Sequence, residues 1–217
     1  MAVTSVKELV AHSPSAVVTV PPVDANALAA AWKEDPDLRK SVGWVHSFST
    51  GVDYLEPLFR AERALRGSGG SDTVFTNGKG AFSSSLAEYA MHAMLHFNKK
   101  TEQCQENKGA SRWNKFVMPV LRGKTCGFLG FGDIAKATAP LATAFGMRNI
   151  ALRARRPIKG SADDEAVSET LISSSEEEVA RFYGEADFVG GSPSLSLSLS
   201  LSLFLCVSLL SPHRFRY

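Results

Sequence analysis

Gly130, Gly132 and Ala135 are the residues whose types and spacing most directly imply chemistry. An apolar run from Cys126 to Leu129 leads into Gly130-Phe131-Gly132, and a helical pattern follows in which Ile134, Thr138, Leu141, Ala142 and Phe145 share one face. The first glycine permits a tight turn and the second lets backbone approach a pyrophosphate. A small residue at the third position lets the helix pack against the strand. Gly146 is well placed to end the helix, and Asn149 to Leu152 reads as a second strand. Strand, phosphate loop, helix and strand make a βαβ unit of the dinucleotide-binding kind. Pro140 is the one discordant residue, since an interior proline should kink the helix.

About twenty residues past the first glycine, an acid normally holds the ribose 2′-hydroxyl of NAD. This chain has Arg153 there, followed by Arg155 and Arg156. Arginine cannot accept that hydrogen bond but can pair with a 2′-phosphate through two parallel donors, so NADP is expected in preference to NAD, which stays admissible. The competing reading is a solvated basic loop answered by Asp163-Asp164-Glu165.

A second candidate lies at Ser49-Thr50-Gly51-Val52-Asp53, where a glycine stands between a strand and a helix. Successive backbone N–H groups in such a turn suit a carboxylate, although Gly51 could equally serve the turn alone. His92 and His96 have metal-ligand spacing on one helix, but with no third ligand they read as ordinary helix histidines and no metal is assigned. Cys104, Cys126 and Cys206 are odd in number and far apart, which argues against disulfides and zinc. A net charge of +2 over 217 residues offers no field for nucleic acid or an anionic membrane. The N-terminus lacks a signal-peptide core, so the expected location is cytoplasmic.

The elements that position these residues alternate strand and helix. Val6, Leu9 and Val10 mark a short helix, Ala16 to Val20 a strand stopped by Pro21-Pro22, Asp24 to Trp32 a helix with Asp24 as N-cap, and Gly43 to Phe48 a second strand. Residues 66 to 72 form a loop before a brief strand at Thr73 to Thr76. Ser85-Leu86-Ala87-Glu88 has the form of a capping box for a helix reaching about Lys99, with Leu86, Tyr89, Ala90, Ala93, Met94 and Phe97 on its apolar face. Residues 101 to 120, which include Trp113, read as a connection. Glu176 to Tyr183 is helical, and Ala186 to Val189 is expected to be the third strand of the sheet, leaving the Cys126–Leu129 strand with an open edge.

VHSFSTGVDYL (45 to 55), TNGKGAFSSSLAEYAM (76 to 91), Trp113 and LRGKTCGFLGFGDIAKATAPLATAFGM (121 to 147) together resemble the D-isomer-specific 2-hydroxyacid dehydrogenases over roughly residues 16 to 189. The resemblance implies a flavodoxin-like substrate domain joined to a Rossmann domain, and hydride transfer between NAD(P)H and a small 2-oxo acid. It implies that Thr50, Gly51 and Val52 hold the substrate carboxylate, that Gly130, Gly132, Asp133 and Ile134 cradle the pyrophosphate, and that Arg153 lies beside the adenosine ribose. It also implies a homodimer formed through the helix at 85 to 99 and the segment after it. The family's carboxylate-anchoring arginine and its acid-assisted histidine fall beyond the end of the resemblance, so no catalytic residue is assigned.

At Gly190 the pattern breaks, and five Ser-Leu pairs occupy residues 194 to 203. A CT dinucleotide repeat would encode that alternation in either phase, so the tail reads as translated repeat or intron sequence. Leu195 to Leu210 is too short and too rich in serine for a membrane anchor. His213, in Ser-Pro-His, imitates the catalytic Pro-His by coincidence. The expected α/β organisation is a substrate domain over residues 1–100, possessing or lacking its first strand, a partial Rossmann domain over 101–190, and a tail over 191–217 outside the fold. The expected function is that of a truncated, inactive 2-hydroxyacid dehydrogenase, with a non-catalytic nucleotide-binding or protein-interaction module as the alternative.

Overall fold

The computed structural model describes residues 6–21, 24–65 and 73–191. The loop at 66–72 and the Ser-Leu tail, with Leu195–Leu210, Cys206 and His213, lie outside the described residues. Contacts divide the chain into two units, one ending at Ala81 and the other starting at Phe82.

In the first unit, β-branched Val17 and Val18 favour a strand. Helix α1 (Val6–His12) precedes β1 (Ala16–Thr19), and α2 (Ala25–Glu34) follows. Asp24 caps α2 as expected, its carboxylate accepting from the amides of Asn26 and Ala27. A short helix that the sequence pattern did not suggest, α3 (Pro36–Ser41), is started by Pro36 and by Asp35, which accepts from the amides of Asp37 and Leu38. Then come β2 (Trp44–Ser47), a single 3-10 turn at Asp53–Leu55, α4 (Glu56–Leu65) and β3 (Val74–Asn77). The three strands are parallel in the order β1-β2-β3, with Ala16 opposite Trp44 and Trp44 opposite Val74.

The core of this unit gathers Leu9, Val17, Leu28, Trp32, Leu38, Val42, Val45 and Leu58. Within it Glu62 is buried but fully engaged. Its carboxylate accepts from Trp32 Nε1 at 2.9 Å and from Arg39 Nε and Nη2 at 3.1 and 3.2 Å. Two charges removed from water are tolerable only with such complete pairing.

The second unit begins with α5 (Ser83–Asn98) and α6 (Thr101–Gly109). The capping-box expectation fails, because the N-cap of α5 is Phe82 rather than Ser85 and has no side-chain cap. The expected apolar face is also rotated: Ala87, Met91, Met94 and Asn98 are buried, whereas Tyr89 and Phe97 are exposed. Small and flexible side chains permit close approach to the helix α7 (Asp133–Ala144), and the bulky aromatics point away. The sequence reading put this helix with residues 1–100; in the structure it packs on α7 of the second unit.

The βαβ unit then follows as β4 (Thr125–Leu129), α7 (Asp133–Ala144) and β5 (Arg148–Arg153). Helix α7 runs through Pro140 as a single element. It buries Ala135, Thr138, Ala139 and Ala142, while Leu141 and Phe145 of the expected face stay partly exposed. Gly146, at φ +75°, closes it with the paired bonds of a Schellman motif, Gly146 N–H to Thr143 O at 2.8 Å and Met147 N–H to Ala142 O at 3.0 Å.

After β5 come α8 (Ala162–Glu165), β6 (Glu169–Ile172), α9 (Glu176–Glu185) and β7 (Phe188–Gly191). The parallel sheet has the order β6-β5-β4-β7. This corrects the strand count: Glu169–Ile172 is the third strand, and the strand expected to be third is the fourth. It pairs with β4 from Cys126↔Phe188 to Leu129↔Gly191, so the predicted open edge of β4 is covered. The missed strand is only four residues long and lies between an acidic helix and a serine run, which hid its Leu171 and Ile172 from a periodicity reading. The order corresponds to strands 3-2-1-4 of a doubly wound dinucleotide fold.

Candidate functional site

Gly130 ends β4 at φ +82°, a conformation that a side chain strains, and its amide donates to Leu152 O at the end of β5. Gly132 follows as N-cap of α7 with no side-chain cap. A Cβ built on Gly132 would meet nothing within 4 Å. Packing therefore does not require glycine there, and the open space lies at the uncapped positive end of a helix, which suits an anion. Asp133 and Ile134 form the first turn behind it, and Ala135 is buried against the core as a small residue at that position must be. Close packing is enforced elsewhere, at Gly127, where a Cβ would come within 2.9 Å of both Ala186 Cβ and Phe182 Cζ on the α9 side.

Arg153 stands at the end of β5, its guanidinium 5.7 Å from the centroid of Phe131 in the glycine loop. Its Nη2 donates to Asp163 Oδ2 at 3.3 Å, and Lys136 Nζ lies 2.8 Å from Asp163 Oδ1. Arg153 Nη1 is buried with no hydrogen-bond partner. An unmet buried donor of this kind costs about 1–3 kcal/mol, so the site is suited to one more acceptor. Hydrogen bonding from Lys136 is the largest influence on Asp163 and, with Arg153, holds its carboxyl below the usual carboxylate range. Arg156 is committed elsewhere, donating to Thr170 O at 2.7 Å and to Glu178 at 3.0 Å. Arg156 is therefore drawn away from the expected basic cluster, whereas Lys136, which the sequence reading missed because it lies on a different element, joins Arg153 at Asp163.

In the first unit, Thr50, Gly51 and Val52 lie just past the end of β2. Gly51 does not have a positive φ, and a Cβ there would meet only Asp53 Oδ2, at 3.9 Å. Turn geometry therefore does not demand the glycine, and there is room above it. Long-range side-chain bonds fix the loop: Asn77 Nδ2 donates to Thr50 O at 2.7 Å and Thr50 Oγ1 donates to Gly78 O at 3.2 Å. Tyr54 OH lies 2.9 Å from both Thr19 Oγ1 and Ser47 Oγ. Gly78 has its own steric reason, since a Cβ would come within 2.8 Å of Phe48 O. Asn77 and Tyr54 were not recognised as supports in the sequence because Thr50 lies 27 residues from Asn77 and Thr19 lies 35 residues from Tyr54.

His96 Nε2 lies 3.6 Å from Glu102 and His92 packs beside His96. Among the described residues no group of three or more His, Cys, Asp or Glu side chains could hold a metal. Burial pushes the Cys126 thiol up to about 12, which leaves it unreactive. No helix among the described residues is long and apolar enough to cross a membrane.

Residues 91–190 match the family described as D-isomer specific 2-hydroxyacid dehydrogenase, NAD binding domain. Over 147 residues the chain is 30% identical to the hydroxypyruvate reductase of Thermotoga maritima, covering 64% of this chain and 44% of that protein. Among solved structures it resembles a glycerate dehydrogenase related protein from Thermoplasma acidophilum, with TM-score 0.53 and 26% identity over 83% of this chain and 65% of the other. It also shares the fold of the NAD-complexed D-isomer specific 2-hydroxyacid dehydrogenase from Lactobacillus delbrueckii, with TM-score 0.67 and 15% identity over 88% of this chain and 54% of the other. The chain spans less than half the length of the curated relative.

Proposed function

We propose that the chain is a member of the D-isomer-specific 2-hydroxyacid dehydrogenases, whose NAD binding domain residues 91–190 match, that its second unit binds a nicotinamide dinucleotide and that its first unit receives the carboxylate of a small 2-oxo or 2-hydroxy acid. The observation that carries the reading is the pairing of Gly130, which needs a positive φ, with Gly132, whose glycine identity no packing contact explains. Backbone N–H groups around Gly132, Asp133 and Ile134 would hold the pyrophosphate, and Ala135 lets the helix sit close enough to present them. A bound nicotinamide would supply the hydride. Arg153 would face the adenosine ribose, and its unmet Nη1 supports a preference for the 2′-phosphate of NADP, with NAD also accepted.

Thr50, Gly51 and Val52 would offer backbone to the substrate carboxylate, with Asn77 and Tyr54 keeping the loop in shape. Proton transfer is assigned to no residue, so binding without turnover is the activity proposed for these 217 residues, acting in the cytoplasm. Titration with NADPH and NADH, followed by assay with hydroxypyruvate and glyoxylate, tests the reading. Saturable binding is expected, tighter for NADPH, with no turnover. Equal or tighter NADH binding would remove the NADP preference, and turnover above background would show that the chain carries its own proton donor.

A second reading, compatible with the first, is self-association. Tyr89 and Phe97 on α5 and Trp113, Val117, Met118 and Val120 in the following segment are exposed, Trp113 by 90%. We propose that this apolar surface meets a second copy of the chain. Light scattering should give twice the chain mass, and Trp113→Ala with Phe97→Ser should give a monomer.

A further inference from the structure

The carboxylate of Asp163 lies between two cations, 2.8 Å from Lys136 Nζ and 3.3 Å from Arg153 Nη2. The three side chains come from separate elements, α7, β5 and α8, so the fold rather than local sequence assembles the cluster. The guanidinium is held over Phe131 and keeps one buried donor, Nη1, without an acceptor. Two cations converging on one anion, with a donor to spare, match the demands of a phosphate better than those of a single carboxylate, because a phosphate brings three acceptor oxygens.

We propose that Asp163 is an intramolecular stand-in for a phosphate: it occupies the cations a ribose 2′-phosphate would take and thereby sets how strongly the site favours NADP over NAD. The inference rests on the dinucleotide reading of the glycine loop and goes beyond it by assigning selectivity to an acidic residue outside the βαβ unit. A 2′-phosphate must displace the carboxylate from Lys136 and Arg153. Ligands lacking that phosphate leave the cluster undisturbed. The Lys136 side chain is nearly half exposed, so the displaced contacts are partly screened and the effect on affinity is moderate.

Calorimetric titration of the purified chain with adenosine 2′,5′-bisphosphate and with 5′-AMP tests the proposal. Asp163→Asn removes the charge at nearly constant shape and should tighten bisphosphate binding about five- to tenfold, with 5′-AMP affinity within about twofold of the parent. Asp163→Ser should act in the same way, guarding against an effect peculiar to asparagine, and adding Arg153→Ala should abolish the gain. Unchanged bisphosphate affinity in both Asp163 variants would overturn the proposal. So would weaker 5′-AMP binding, which would make Asp163 a ribose ligand. If the parent chain binds neither compound, the glycine-loop reading falls and the inference with it; binding of both without an Asp163 effect removes the inference alone.

Discussion

The two units build the same arrangement, a parallel sheet leading into a candidate binding turn, by different means. In the second unit the turn is built from backbone: β4 is buried along almost its whole length, Gly127 lets α9 approach, and Gly130 supplies the conformation. In the first unit polar side chains do both tasks, with Arg39, Glu62 and Trp32 joined inside the core and Tyr54, Ser47, Thr19 and Asn77 bracing the turn. A backbone-built site tolerates changes at its surface but not at its glycines. A site braced by side chains depends on partners remote in sequence.

That contrast can be broken most severely at Glu62. Replacing it by alanine leaves Arg39 buried without a counter-charge and should destabilise the first unit by about 3–5 kcal/mol, seen by hydrogen exchange as loss of protection in β1–β3 with β4–β7 unaffected. The converse substitution, Gly127→Ala, drives a methyl into Ala186 and Phe182. It should cost about 1–3 kcal/mol in the second unit only, measured by the same exchange experiment. Parallel losses in both units from either substitution would contradict their separate construction.

Tyr54→Phe sharpens the comparison at the turn itself. Removing the hydroxyl shared by Thr19 and Ser47 should cost about 1 kcal/mol and raise amide exchange at Ser49–Val52, while exchange at Gly130–Ala135 stays the same. The smallest effect concerns surface charge. Hydrogen bonds from Arg181 and then Arg148 hold the Glu185 carboxyl below its ordinary value. Its folded-state value being depressed, this carboxylate contributes stability at pH above the ordinary glutamate range and loses it as pH falls through the lower folded value. Glu185→Gln should therefore flatten the acid side of the stability profile by a few tenths of a kcal/mol, roughly the value of an exposed pair.

The same contrast explains what was legible in the sequence. The βαβ unit was readable because its signal is local: Gly130 and Gly146 report backbone demands directly, and Gly132 and the short apolar runs stand beside them in sequence. Strand Glu169–Ile172 was missed because four residues carry too little periodicity, and its absence shifted the strand at Phe188 one place in the order. Helix faces were misjudged in α5 and α7 for a common reason. Hydrophobicity points to Tyr89, Phe97, Leu141 and Phe145, but a helix packed closely on its neighbours buries alanine and methionine instead. Arg153 was visible as a charge near the ribose position, whereas its partners Lys136 and Asp163 emerged only when α7 and α8 were placed beside β5.

Gly132→Val tests the central claim most directly, because the structure leaves a side chain at that position unopposed. The account predicts a melting temperature within about 2 °C of the parent, since no packed surface is disturbed, together with at least a tenfold loss of NADPH affinity as the side chain fills the space reserved for the pyrophosphate. An unchanged affinity in the folded variant would contradict it, because the glycine loop would then not be where the dinucleotide binds.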